Sequence, residues 1–366
     1  MVKIWRCGLM LVAGFWVFSA VLGCFGSETD SLGLVSPELL KAGGFETVWQ
    51  TRLPIKKGES LERLFILGQR IYALSDHNYM VSLSRQNGNI IFGTSFAEAG
   101  FSVMGLALYQ DRLLSVIGNK VVEIDPDSGV QQNTTRLDLG IVCPVARNSS
   151  CFYIAGSDRR VHTLRAEDKV ALFEVAAEDE SMITSIVADD GIVVFGTNTG
   201  TCIGITPEAP KRLWQFDAAD GIVGPMVRSA DALFFASRDT NVYKLDIATG
   251  QLVWKCQTAA LLEDSPRVTA ERVYQYVRGS GLTAIDSESG QPVWQLAKGV
   301  ELLAEAGGNS YVITKAGKLV VMDNNTAKQV YSVNFAKVSR YVANLTDSLI
   351  YIADENGRIA CLKPIE

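Results

Sequence analysis

Histidine is almost missing from this chain: its 366 residues hold two, His77 and His162. Neither has a second histidine or a cysteine at ligand spacing, so no metal site is expected. There is no Cys-x-x-Cys and no Cys-Cys, which excludes zinc-ribbon and thioredoxin-type spacings. Gly-x-Ser-x-Gly, His-Glu-x-x-His and phosphate loops are also lacking, so the sequence nominates no catalytic residue and no cofactor. Positive charge is thin. Lys and Arg total 34 against 40 Asp and Glu, for a net charge of −6. Basic residues cluster no further than doublets such as Lys56-Lys57 and Arg159-Arg160. A nucleic-acid role needs a positive footprint, and this chain has none.

What is present starts with a leader. Lys3 and Arg6 precede an uncharged apolar run from Gly8 to Leu22, and polar residues follow from Gly26. Residues 1–23 therefore read as a secretory signal. Removing them takes the net charge from −6 to −8, because the leader holds two bases and no acid. The run Val21-Leu22-Gly23-Cys24 resembles a bacterial lipobox, which implies cleavage before Cys24 and acylation of its sulfur. Several acyl chains anchor stably where one is marginal. An ordinary signal with a chance cysteine, or an uncleaved anchor, are the alternatives. Phe25, where inner-membrane retention calls for Asp, favours the outer membrane. The expected place is thus the cell envelope, lipid-anchored and facing the periplasm. Residues 24–44 are expected to be a tether. Ser36-Pro37 could cap one helical turn there, with the rest slack.

The remainder is a repeat. Asn241–Lys255 reads as strand, turn and strand: Val242–Ile247 is rich in β-formers, Ala248-Thr249-Gly250 turns, and Leu252-Val253-Trp254 starts a new run. Gly281–Gln295 repeats the spacing of Asp246, Gly250 and Trp254 as Asp286, Gly290 and Trp294. With the Trp position as ruler, the slots fall at 49, 92, 133, 173, 214, 254, 294 and 331, in steps of 43, 41, 40, 41, 40, 40 and 37. Trp49, Trp214, Trp254 and Trp294 all occupy this slot. A period near 40 made of four short strands is a β-propeller blade. Near-continuous apolar runs suit strands covered on both faces. Eight blades start, near Leu64, Met104, Val142, Ile183, Val223, Ser265, Glu301 and Ser339. The last has room for three strands. Its fourth is expected to be the orphan segment Phe45–Leu53, closing the ring and leaving no bare edge. The fold class is therefore all-β: an eight-bladed β-propeller of four antiparallel strands per blade, spanning 45–366 as one domain.

Five further cysteines are spread over the blades. Cys143 and Cys151 flank the expected first hairpin of the third blade, either as a cross-strand disulfide in an oxidising compartment or as two buried free thiols. Asp246 and Asp286 are matched carboxylates. Recurrence just before a turn makes them turn-holding residues, bonding its backbone N–H groups, and not a catalytic pair.

The units Leu245–Trp254 and Ala284–Trp294 resemble the repeat of PQQ-like (quinoprotein-type) propellers. The resemblance covers about 45–366. It is sharp in the fifth and sixth blades and degenerate in the first three, where Asn133 replaces the aromatic. It implies that each slot aromatic docks on the neighbouring blade. With a lipobox and this length, it implies a non-catalytic, monomeric scaffold like the family's lipoprotein members, which assist assembly of β-barrel proteins in the outer membrane. Rim loops would then hold the barrel subunit of that assembly machine. A quinoprotein dehydrogenase is the minor alternative, and the chain lacks the vicinal Cys-Cys and long insertions usual in those enzymes. An exported propeller binding another protein or a glycan is the main alternative, since function sits on loops and not on the fold. The connections Asp217–Gly221 and Thr258–Asp264 are the candidate partner loops. Leu261 and Leu262 offer two apolar residues there, as an interface core requires, unless they tuck under the disc.

Overall fold

Short β-rich runs separated by turn residues fold into eight antiparallel sheets of four strands each. The computed structural model describes residues 33–365; the leader and Cys24 lie outside them. Seven blades use strands in chain order. Blade one runs from Leu61–Leu67 to Ile90–Ser95, blade two from Val103–Tyr109 to Gln131–Arg136, and blade three from Ala146–Arg147 to Ala171–Val175. Blade four runs from Ile183–Ala188 to Arg212–Asp217, blade five from Val227–Ser229 to Leu252–Gln257, blade six from Arg267–Val268 to Pro292–Leu296, and blade seven from Gly299–Ala306 to Lys328–Asn334. Blade eight takes Arg340–Val342, Ile350–Ala353 and Arg358–Pro364 from the end of the chain. Phe45–Arg52 pairs antiparallel with the last of these, Phe45 opposite Pro364 and Arg52 opposite Arg358. The ring closure expected from the missing fourth strand is therefore present.

The apolar core is divided among the joints between blades. Each of eight buried clusters joins two successive blades. Trp49, Leu61, Ile71, Tyr351 and Cys361 join eight to one. Phe234, Trp254, Leu262, Val273 and Ile285 join five to six. This division explains the runs without alternation. The second and third strands of a blade are covered on both faces, as in the fully buried Cys151–Ala155 and Val193–Thr197.

The outermost strand of every blade carries a register shift at the slot residue. In blade five Trp254 lies opposite Lys244 and Leu252 opposite Leu245, so Val253 has no partner. Such a bulge bends the strand and re-aims the next side chain. Here it turns the slot residue toward the following blade. The skipped residues stay outside: Val48, Ile91, Leu172, Leu213, Val253 and Val330 are exposed aliphatics on six blades.

The segment before the first strand departs from the expected slack tether. Pro37–Ala42 is a helix, with the Leu39 N–H donating to Ser36 Oγ at its N-cap. Leu34, Val35 and Leu40 are buried with Phe45, Val333 and Phe335 at the joint of blades seven and eight. Their apolar side chains cover that joint, which is why the last dozen residues of the expected tether are ordered against the ring.

Candidate functional site

A propeller has two rims. On one, connections between blades meet the turns between the second and third strands of each blade. Asp217–Gly221 and Thr258–Asp264 run along this rim, and both are pinned. Asp239 in the turn of blade five accepts from the Ala219 N–H and from the Tyr243 hydroxyl. Ser237 Oγ donates to the Asp220 carbonyl. Thr258 donates through its N–H and its hydroxyl to the Thr240 carbonyl. Buried Gln275 donates to the carbonyl of Asp264. The two connections pass so close that a Cβ on Gly224 would lie 2.8 Å from the Glu263 carbonyl oxygen. These hydrogen bonds fix the path of both loops along the rim.

The two leucines part ways. Leu262 is fully buried, packed with Trp254, Val268 and Val273, so the expectation of a two-leucine patch fails for it: its side chain completes the joint beneath the rim. Leu261 is 51% exposed. It lines a cleft of about 510 Å³ with Arg238, Ala260, Glu263, Asp264, Tyr276 and Arg278. Arg238 lies 3.7 Å from Glu263. An apolar side chain, an aromatic and opposed charges thus surround one preformed depression.

The remaining residues singled out from sequence have clear settings. The four slot indoles each donate to the following blade: Trp49 to the Arg85 carbonyl, Trp214 to that of Ile247, Trp254 to that of Ser287, and Trp294 to Asn324 Oδ1. All four are buried. Asp246 Oδ1 accepts from the Thr249 N–H and hydroxyl, and Asp286 Oδ1 from those of Ser289. The bond from the Thr249 hydroxyl is the chief cause holding the Asp246 carboxyl below its ordinary range. Both carboxylates hold their turns.

Cys143 and Cys151 are free and buried, so the disulfide alternative is not formed. The strand register explains this. The bridge between Ile141 and Gly156 puts Cys143 near the Ala155 end of a strand that begins at Cys151. At roughly 3.4 Å per residue that separation is too long to bridge. Burial pushes the Cys143 thiol up to about 12.

His77 hydrogen-bonds Asp76 at 2.8 Å on the surface, and that carboxylate raises its pKa. His162 has a richer setting, hidden in the sequence. Its Nε2 faces Asp158 across the turn of blade three, and its Nδ1 lies 3.3 Å from Glu174. Glu174 is twelve positions away but directly opposite His162 on the neighbouring strand. The repeat register was the signal that could have found it.

Eight four-stranded antiparallel sheets, with an aromatic in the slot of every blade but the second, make the chain an eight-bladed β-propeller whose repeat is similar to that of PQQ-like propellers. Among such propellers it is BamB-like. The family model described as "Outer membrane protein assembly factor BamB" matches residues 206–337, which include the Leu261 cleft. A BamB of Yersinia pestis is 22% identical over 197 residues, 50% of this chain and 48% of that protein. One of Shewanella oneidensis is 22% identical over 224 residues, 56% of this chain and 55% of its own length. The chain thus spans about half the length of the curated relatives it matches. The crystal structure of BamB from Moraxella catarrhalis superposes with a TM-score of 0.65 at 14% identity, covering 87% of this chain and 97% of that one. A computationally designed protein, Ika8, superposes with 0.67 at 13% identity over 86% and 99%. At these identities the structural likeness speaks for the fold alone.

Proposed function

We propose that this chain is a non-catalytic scaffold of the cell envelope, lipid-anchored through Cys24 on the outer membrane and facing the periplasm. It assists the assembly of β-barrel proteins by holding a protein partner at its rim, with the barrel subunit of the assembly machine the first candidate. The observation that carries the reading is the Leu261 cleft: an exposed leucine beside Tyr276 on rigidly held loops, inside the segment matched by the BamB model. Tyrosine and arginine are among the residues most enriched in contact hot spots, and Tyr276, Arg238 and Arg278 flank the leucine here.

The test is crosslinking and affinity purification of the full chain from membranes. Recovery of an outer-membrane barrel protein with periplasmic modules is expected, and Leu261→Asp should reduce it at least tenfold while leaving the melting temperature near that of the wild type. Leu262 is left intact, because a charge there would unfold the joint. Recovery of a different partner or a glycan, unaffected by Leu261→Asp, would replace this reading with that of another exported binding propeller. Radiolabelled palmitate should enter the protein and fail to enter a Cys24→Ser variant.

A further inference from the structure

Blade three brings three ligand-type side chains together beside one turn. His162 Nε2 lies 3.0 Å from Asp158 Oδ1 and 2.9 Å from Oδ2. Its Nδ1 lies 3.3 Å from Glu174 Oε1. One ligand atom from each of the three residues lies within 4.8 Å of the other two. The ring itself is largely enclosed, its side chain 13% exposed, while the carboxylates are 40% and 50% exposed.

Both carboxylates accept only. A neutral imidazole carries one ring hydrogen, so whichever of the two contacts it serves, the other ring nitrogen turns a lone pair toward a carboxylate. A nitrogen lone pair then faces a carboxylate oxygen across 2.9 or 3.3 Å. Something electropositive belongs between them, either a proton or a metal ion. Two features point to the ion. First, the carboxylate–imidazole contact through Nδ1 is the outer partner that metal-bound histidines use to hold their ring and raise their basicity. Second, space has been kept at the junction. A Cβ on Gly156 would sit 2.3 Å from Asp158 Oδ1 and 2.9 Å from His162 Nε2, so a larger residue there would push the carboxylate off the ring.

We propose that Asp158 and His162 bind a divalent transition-metal ion of the zinc class, with Glu174 orienting the imidazole or entering as a third ligand. Zinc takes nitrogen and carboxylate oxygen at about 2.0–2.2 Å, so parting Nε2 and the carboxylate by a few tenths of an ångström seats it. Asp158 is on a turn and half exposed, so it can move that far, and water fills the open positions. A mixed imidazole and carboxylate set favours zinc, copper or nickel over calcium and magnesium, which take oxygen alone. Arg160, 3.8 Å from Glu174 Oε2, is the competing cation at the outer carboxylate.

The experiment dialyses the chelator-treated full chain in detergent against zinc chloride and counts bound metal. One zinc ion per chain is expected. His162→Gln and Asp158→Asn should each abolish it, and Glu174→Gln should weaken it by about 10–100-fold. His77→Gln should bind like the wild type, since His77 is the other histidine and has a single carboxylate beside it. A readout on the wild type alone uses nitrogen NMR of the two imidazoles: zinc should move the Nε2 resonance of His162 and leave His77 unchanged. Substoichiometric zinc on folded protein, full binding by the His162→Gln variant, or an unmoved His162 resonance would each overturn the proposal and leave a proton in the gap.

Discussion

The joint between blades five and six and the joint between blades two and three solve one problem with different chemistry. In the first, the Trp254 ring lies under the turn of blade six and its N–H reaches the Ser287 carbonyl at 3.0 Å. That turn has glycine at position 290, where a Cβ would lie 2.6 Å from the indole. In the second, the slot holds exposed Asn133, and the matching turn position is Lys169. Lys169 adopts the same left-handed backbone, with φ of 62° against 72° for Gly290. Its N–H bonds the Arg165 carbonyl just as that of Gly290 bonds the carbonyl of Asp286. With no indole beneath, a Cβ fits. The long side chain then reaches inward, placing Nζ 2.8 Å from buried Glu123. Arg147 meets the other oxygen of Glu123 at 3.1 Å, and its guanidinium lies between the rings of Tyr109 and Phe152. Glycine and tryptophan are thus two halves of one device at three joints, Trp49 with Gly88, Trp214 with Gly250 and Trp254 with Gly290, whereas Trp294 meets a turn with Ala327 at that position, φ 58°, and donates to the Asn324 side chain.

The largest test of this contrast is Trp254→Ala. It should cost about 3–5 kcal/mol in urea unfolding, for a buried ring and its hydrogen bond. Asn133→Ala, at the same repeat position, should cost under about 0.5 kcal/mol. Next comes Glu123→Ala, which leaves two cations at the joint of blades two and three without a counter-charge. A loss of about 3 kcal/mol is expected, while replacing Glu123, Arg147 and Lys169 together by apolar residues should recover most of it. Asn133→Trp with Lys169→Gly converts the ionic joint to the aromatic one. Asn133→Trp alone should destabilise, and the pair should show a favourable coupling of about 1 kcal/mol or more in a double-mutant cycle.

The smallest effect concerns the carboxylate-held turn of blade five, on which Trp214 docks. The Asp246 carboxyl is lowered in the folded state, chiefly by the Thr249 hydroxyl. A lowered carboxyl adds stability that is present above its unfolded value and lost as pH falls through the folded one. Asp246→Asn should therefore cost on the order of 1 kcal/mol or less at pH 7, because the group is exposed. The difference should vanish in acid.

Much of this was legible from residues. Spacing of Asp, Gly and Trp in blades five and six marked the blade, the count came to eight, and the shortfall after Arg358 pointed to Phe45–Leu53 as the missing strand, which forms over Phe45–Arg52. What stayed hidden depends on facing directions. Leu261 and Leu262 are adjacent in sequence, and only the path of the loop decides that one fills a joint while its neighbour meets solvent. The degenerate slot at Asn133 read as a weak copy, because Glu123, Arg147 and Lys169 lie on three separate strands and turns. Glu174 gained meaning only when the register set it across from His162. The disulfide alternative failed on register too: short sequence separation does not bring Cys143 and Cys151 together when they lie at opposite ends of a strand.

The shared sheet of blade eight also sets a timetable. Phe45 and Pro364, some 300 positions apart, are neighbours in it. During synthesis the earliest strand emerges long before its mate exists, and its apolar side, with Phe45 and Trp49, has nothing to lie against. Seven blades can form in turn while that ribbon waits. Such long-separated pairing is slow to form and open to misassociation until it is made. The ring becomes a ring only with its final residues, and a chain stopped a few dozen residues early would have a seam with two loose edges.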